Sequence, residues 1–108
     1  MDDLIHERLV DIARSRETTY YSDIAPLANL DMSLPVDRNR IAQILGEIST
    51  YEHHQGRPLL SAVVILKDEN IPGEGFFSLA YDLSLYNGGD KDTFWLRELY
   101  RVWDCWKS

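Results

Sequence analysis

The chain has 108 residues, 44% of them hydrophobic, and a single cysteine, which predicts one domain over residues 1–108 without an intramolecular disulfide. Its start, Met1-Asp2-Asp3, lacks the basic and apolar run of a signal peptide, and no apolar run approaches the roughly 20 residues that cross a bilayer, so a cytoplasmic protein without a membrane partner is expected. Eighteen acidic side chains against 11 basic ones give a net charge of −7, which argues against indiscriminate binding to polyanions.

The first 29 residues predict two helices separated by a short strand. Residues 3–15 place their apolar side chains at the spacing of an amphipathic helix. The β-branched and aromatic run Thr18–Tyr21 that follows is typical of a short edge strand. Ser22 is a suitable N-cap for a second helix, which is expected to end near Asn29.

A long third helix is predicted from Val36 to His54. Its apolar side chains recur at helical spacing: Ile41, Ile44, Leu45, Ile48 and Tyr51. Gly46 lies inside this pattern and costs about 1 kcal/mol relative to alanine in a helix interior. A close contact across the core is the expected compensation for that glycine.

The second half of the chain predicts one strand and two further helices. Leu59–Leu66 is a dense apolar run rich in β-branched residues, and it is expected to be the best buried strand. A charged turn covers residues 67–75, after which apolar residues return at helical spacing. The last helix is expected to be capped by Asp90 or Asp92 and carries three tryptophans.

This order of elements predicts an α+β fold of the winged-helix type, a helix-turn-helix with a short β-sheet, followed by extra C-terminal helices. The helix-turn-helix would span Ser22–His54. The loop Lys67–Gly75 would be the wing that follows the third helix.

Three stretches of the chain, residues 16–25, 40–46 and 58–64, together resemble a known family. They are similar to the helix-turn-helix entry, the recognition helix and the following strand of the winged-helix DNA-binding domain of O6-alkylguanine-DNA alkyltransferases and alkyltransferase-like proteins. That family carries its alkyl-acceptor cysteine in a Pro-Cys-His-Arg tetrad, where this chain has Leu59-Leu60-Ser61-Ala62. The resemblance therefore implies the fold and not the reaction. Residues 56–64 and 72–77 together also resemble a sequence pattern of bacterial proteins. This second resemblance implies no activity.

The predicted third helix holds the candidate nucleic-acid site. Residues 38–57 carry three arginines against two glutamates, while the segments on either side are acidic. Arg38, Asn39 and Gln43 fall off the apolar stripe at the helix start, beside Arg40, where the side chains of a docked helix reach bases and phosphates. The predicted nucleic-acid-binding residues are these four and one in the wing: Arg38, Asn39, Arg40, Gln43 and Lys67.

A protein partner is the alternative hypothesis. The wing is acidic, and carboxylates near a phosphate backbone weaken binding. The chain would then be a protein–protein adaptor, or an immunity or inhibitor protein that binds a basic partner such as a nuclease or toxin. Its predicted contacts are Asp68, Glu69 and Glu74 of the wing with Trp103 and Trp106 of the last helix. In the nucleic-acid hypothesis, a homodimer or a basic partner protein would supply the charge that a single domain lacks.

No pattern for catalysis or metal binding stands out, so a non-enzymatic protein without a cofactor is expected. Cys105 has no histidine near it in sequence that would activate a thiol. His53 and His54 are adjacent, so on a helix they point about 100° apart and cannot chelate one ion together. Ser61 lacks the glycines of a hydrolase nucleophile elbow.

Overall fold

The computed structural model describes residues 1–107, which form an α+β fold with five α-helices and two short strands. In chain order these are α1 (Asp3–Arg14), β1 (Thr19–Tyr20), α2 (Tyr21–Ile24), α3 (Pro35–His54), β2 (Val64–Ile65), α4 (Glu74–Asp82) and α5 (Lys91–Trp106). Two turns of 3₁₀ helix, Ala25–Ala28 and Leu60–Val63, complete the backbone.

Short acidic side chains begin the two outer helices. The carboxylate of Asp2 accepts the N–H of Ile5 at 3.0 Å at the start of α1, and that of Asp90 accepts the N–H of Thr93 at 3.0 Å at the start of α5. Of the two predicted caps of the last helix, Asp90 and Asp92, Asp90 is therefore the one that caps α5. The prediction for Ser22 is wrong, because β1 runs directly into α2 at Tyr21 and places Ser22 inside the helix.

Helix α3 agrees with its predicted range and buries four residues of the predicted stripe: Ile41, Ile44, Leu45 and Ile48. The fifth, Tyr51, is 42% exposed, so the prediction of its burial is wrong. The expectation for Gly46 is wrong. A Cβ atom placed on Gly46 would meet nothing within 4 Å, so no neighbouring element demands a glycine there.

The predicted strand Leu59–Leu66 is mostly wrong, although its burial is confirmed. Its first part is the 3₁₀ turn, and only Val64 and Ile65 form a strand, parallel to β1 with Thr19 opposite Val64. The partner strand ends after two residues because α2 begins at Tyr21. The turn packs against α1, α3 and α5, and a segment buried on all sides has no alternation that would separate strand from helix.

The segment predicted as a wing is a loop between a strand and a helix. The N–H of Leu66 donates to the carbonyl of Ile71 at 2.9 Å, and that of Asn70 donates to the carbonyl of Leu66 at 2.8 Å, which closes a tight turn. The chain then enters α4, so Glu74 and Gly75 belong to the first turn of that helix. Within residues 1–107, no strand returns from this loop to pair with β2.

One hydrophobic cluster joins all five helices, and the aromatic side chains of α5 pack along its border. Trp95, Trp103 and Trp106 are each partly buried against this cluster. In the part of the chain that the structure describes, no helix has the length and apolar character needed to cross a membrane.

Candidate functional site

Polar side chains in the C-terminal half of α3 are buried and bonded within the protein. The hydroxyl of Ser49 accepts the backbone N–H of Ser61 at 3.0 Å, and the two serine hydroxyl oxygens lie 2.6 Å apart. This pair joins α3 to the central 3₁₀ turn. Ser49 and Ser61 thus connect these two elements, and Ser61 also lines the pocket described below.

Glu52, one turn further along α3, is fully buried between His6 and Arg57. Its Oε1 lies 3.1 Å from Nε2 of His6 on α1, and its Oε2 accepts a hydrogen bond of 2.7 Å from Nε of Arg57. This hydrogen bond raises the pKa of Arg57 above its ordinary value. The Arg57 guanidinium also lies 5.4 Å from the ring centroid of Trp106, so the cluster ties α1, α3 and α5 together.

A second buried carboxylate, that of Glu98 on α5, holds the central turn from the opposite side. Its Oε2 accepts the N–H of Leu59 at 2.8 Å, and its Oε1 accepts a hydrogen bond of 2.8 Å from Arg101. The indole N–H of Trp95 donates to the carbonyl of Ala62 at 2.8 Å. Each carboxylate oxygen of the two buried glutamates thus has a protein partner.

The N-terminal half of α3 differs because its polar side chains are exposed. Arg38, Asn39, Arg40 and Gln43 all face solvent, and Arg40 lies 3.4 Å from the amide oxygen of Gln43. Arg38 donates one hydrogen bond of 3.1 Å to the carbonyl of Met32. The structure therefore brings these four predicted residues together.

The two arginines are also electrostatically unpaired. Among the described residues, neither Arg38 nor Arg40 has a carboxylate oxygen within 4.0 Å. Four other cations are paired with carboxylates: Arg16 with Asp104, Arg57 with Glu52, Lys91 with Glu74 and Arg101 with Glu98. Within residues 1–107, Arg8, Arg14, Lys67 and Arg97 are in no such pair either, so Arg38 and Arg40 are distinguished by their place beside Asn39 and Gln43 and not by the lack of a partner alone. The charge on this half of α3 is thus available to a ligand.

Two aspartates organise the turn that leads into α3. Asp31 accepts hydrogen bonds from the N–H and the hydroxyl of Ser33 at 2.8 and 2.7 Å, and these bonds lower its pKa below the ordinary value. Asp37, in the first turn of α3, accepts the N–H of Asp31 at 2.9 Å. Within residues 31–40, the charges of these two carboxylates offset those of Arg38 and Arg40.

A pocket of about 210 Å³ opens between α3 and α4 beside these arginines. Its walls are largely apolar: Ile41, Ala42, Leu45, Leu66, Phe76 and Leu79. Gly46, Arg38, Glu74 and Tyr21 also line it. The phenol oxygen of Tyr21 accepts the N–H of Gly73 at 2.8 Å, and burial raises the pKa of this phenol while that hydrogen bond lowers it.

The other predicted contact residues lie on separate elements. Lys67 extends from the end of β2, with its ammonium 5.4 Å from the ring centroid of Tyr20. Asp68 and Glu69 are exposed on the following loop, and within residues 1–107 neither has a cation within 4.0 Å. Glu74 forms an ion pair with Lys91.

The C-terminal tryptophans make intramolecular contacts at the far end of α5. The indole N–H of Trp103 donates to the carbonyl of Glu17 at 3.1 Å, and Arg16 lies 5.1 Å from its ring centroid. The indole nitrogen of Trp106 is buried without a hydrogen-bond partner among the described residues. Cys105, between them in sequence, is exposed.

Sequence reasoning missed the pocket and the two buried glutamates. Glu52 follows Ile48 by four residues on the buried stripe of α3, which is a signal that could have revealed its burial. Ala42 and Gly46 are likewise four residues apart on one helical face, and two small side chains in adjacent turns leave room for a pocket.

No protein-family model, curated protein or solved structure matches the chain. The case for a function therefore depends on the residues of this chain alone.

Proposed function

We propose that the chain is a non-enzymatic binding module that contacts nucleic acid through the N-terminal half of α3. The observation that carries this proposal is the exposure of Arg38 and Arg40, without carboxylate partners in residues 1–107, beside Asn39 and Gln43. Arginine binds phosphates and guanine edges, and asparagine and glutamine pair with adenine edges. A helix start with these four side chains can therefore both position the protein on a duplex and recognise its base sequence.

The winged-helix arrangement is part of this proposal. The order of α2, a turn and the long α3 supports a helix-turn-helix in which α3 is the recognition helix. The loop after β2 would take the place of the wing and bring Lys67 to the phosphate backbone. Here that loop leads into a helix, so the wing would be a variant without a returning strand.

The small number of cations sets the expected strength of binding. Three phosphate contacts, one each for Arg38, Arg40 and Lys67, give a slope of about −3 in log K against log salt concentration. Affinity would fall about 40-fold between 50 and 200 mM salt. Binding by one copy is therefore weak at physiological salt, and a homodimer or a basic partner protein would strengthen it.

Fluorescence anisotropy of labelled duplex DNA and single-stranded RNA over a salt series tests the proposal. The variant Arg38→Ala/Arg40→Ala should bind more weakly and reduce the magnitude of the salt slope by about 2. The matched control Arg14→Ala/Arg97→Ala removes two exposed arginines from α1 and α5 and should keep most of the slope. Absence of salt-dependent binding by the wild type at low ionic strength would contradict the proposal, as would equal losses in both variants.

The second candidate is an adaptor or immunity-type protein with a basic partner. It is favoured by the exposed carboxylates of Asp68 and Glu69, which are as unpaired as the two arginines of α3. Glu74 would contribute less, since Lys91 already neutralises it. Trp103 and Trp106 would extend the contact only if partner binding rearranged the end of α5, because both pack against the core.

Affinity capture from the native host tests this second candidate. A basic protein should be recovered, and its binding should be lost when Asp68, Glu69 and Glu74 are each replaced by lysine. Recovery of nucleic acid alone would contradict it.

A further inference from the structure

The pocket between α3 and α4 contains a glycine that the packing of the protein does not explain. Glycine is the least favourable residue for a helix interior after proline. Within residues 1–107, no atom outside the surrounding helix backbone lies within 4 Å of the position that a Cβ on Gly46 would occupy, and Gly46 lies inside α3 without a positive φ. The space that Gly46 leaves is part of the pocket.

The size and walls of the pocket define the apolar part of a ligand. Its volume of about 210 Å³ exceeds the roughly 150 Å³ of an engineered apolar cavity that stays dry and binds benzene. A substituted aromatic ring or a branched alkyl chain therefore fits. The walls are mostly aliphatic and aromatic, and they offer few groups that could pair with the edges of a nucleobase.

The polar groups of the pocket define the rest of the ligand. Arg38 lines the pocket and donates one guanidinium N–H to the carbonyl of Met32. Its other N–H groups have no protein acceptor among the described residues. The hydroxyl of Tyr21 accepts the N–H of Gly73 and keeps its own proton to donate. Glu74, the carboxylate of the pocket lining, is ion-paired with Lys91. The pocket is thus complementary to one negative charge.

We propose that this pocket binds a small monocarboxylate with an aryl or branched alkyl group, whose carboxylate pairs with Arg38 and whose apolar group lies over Gly46. The proposal goes beyond nucleic-acid binding and does not depend on it. It requires only the pocket, the guanidinium at its edge and the space at Gly46.

Titration of ¹⁵N-labelled protein with 3-phenylpropionate tests the proposal, with 3-phenylpropanol as the neutral ligand of the same shape. The acid should shift the amide resonances of Gly46 and Leu79 and bind about 10-fold more tightly than the alcohol, because a charge-assisted hydrogen bond is lost with the carboxylate. Equal affinities, or no shifts at the pocket, would overturn the proposal.

Three variants locate the binding determinants. Arg38→Met keeps an unbranched side chain and should remove the preference for the acid, while Arg40→Met, outside the pocket, should keep it. Gly46→Leu should abolish binding of both compounds by filling the pocket. Should Gly46→Leu fail to fold, Ala42→Leu tests the same point, since Ala42 is exposed and lines the pocket. Undiminished binding by the filled variant would overturn the proposal.

A peptide could present the same chemical groups as a small acid. A pentapeptide that ends in phenylalanine therefore serves as a competitor. Tighter binding of the peptide than of 3-phenylpropionate would overturn the assignment to a small molecule, whereas weaker binding supports it.

Discussion

The polar side chains of the two halves of α3 differ in burial and in hydrogen bonding. In the C-terminal half, Ser49 and Glu52 are fully buried, and each is hydrogen-bonded to another element. In the N-terminal half, Arg38 and Arg40 are exposed without a carboxylate partner among the described residues, beside an open apolar pocket. One end of α3 is thus held by buried polar contacts, and the other end, which we propose as the binding surface, leaves its polar side chains exposed.

This contrast between buried and exposed polar side chains gives a criterion that separates residues that stabilise the fold from candidate binding residues. A buried polar group whose hydrogen bonds are all made stabilises the fold, and its removal lowers the free energy of unfolding. An exposed group without a partner contributes little to stability, so it can be changed with little effect on folding. Substitutions in the two halves should accordingly affect different measurements.

The largest expected effect is that of Glu52→Ala. Removal of the buried carboxylate leaves Arg57 and His6 without their partner, and the free energy of unfolding should fall by about 3 kcal/mol. Urea denaturation measures this change. Glu47→Ala, an exposed glutamate of the same helix, is the control and should change it by less than about 0.5 kcal/mol. Similar values for the two variants would remove the basis of the comparison.

Ser49→Ala should have the next largest effect. It leaves the buried N–H of Ser61 without an acceptor, which costs about 1–3 kcal/mol. Ser78→Ala, on the exposed face of α4, provides the control. If thermal unfolding shows no difference between the two alanine variants, the buried serine pair is not a stabilising element.

Gly46→Ala should stabilise the protein, by up to about 1 kcal/mol, because alanine is the better helix former and nothing obstructs its methyl group. The opposite sign is expected for Gly56→Ala, since Gly56 follows α3 with φ at +77°. Chemical denaturation of both variants provides the test. A destabilised Gly46→Ala would show that a packing constraint on this glycine exists after all.

The smallest effect concerns acid and the turn before α3. The pKa of Asp31 is lowered by its hydrogen bonds to Ser33, so the stability it contributes is fully present above the ordinary value of 3.8 and is lost as pH falls through the lower folded-state value. Asp31→Ala should flatten the dependence of the unfolding midpoint on pH below about 4. Asp68→Ala is the control, and an equal flattening in that variant would contradict the assignment to Asp31.

Much of the helical structure could be predicted from the sequence, because α1, α3 and α5 each carry a one-sided apolar stripe with clear ends. The central turn could not, since Leu60–Val63 is buried on every side and has no periodicity to interpret. The helix after residues 67–75 could also be predicted from the helical spacing of its apolar residues, and it forms α4. The interpretation of residues 67–75 as a wing came from the order of elements, and within residues 1–107 no strand returns from this loop.

The candidate site was predictable only in part. Arg38 and Arg40 could be located from their position off the stripe, but their lack of carboxylate partners depends on which distant side chains come near. The pocket likewise depends on how α4 packs against α3, which no local pattern specifies. The position of Gly46 inside a helix is visible in the sequence, but the open space beside it depends on the tertiary structure.

The central claim is that the N-terminal half of α3 is the binding surface of this protein. Chemical-shift mapping of ¹⁵N-labelled protein with a short DNA duplex at low salt tests it most directly. The account predicts that the largest shifts fall on residues 38–43 and on Lys67, while the C-terminal half of α3 and the end of α5 change little. Shifts centred on Trp103 and Trp106, or the absence of shifts at Arg38 and Arg40, would contradict it.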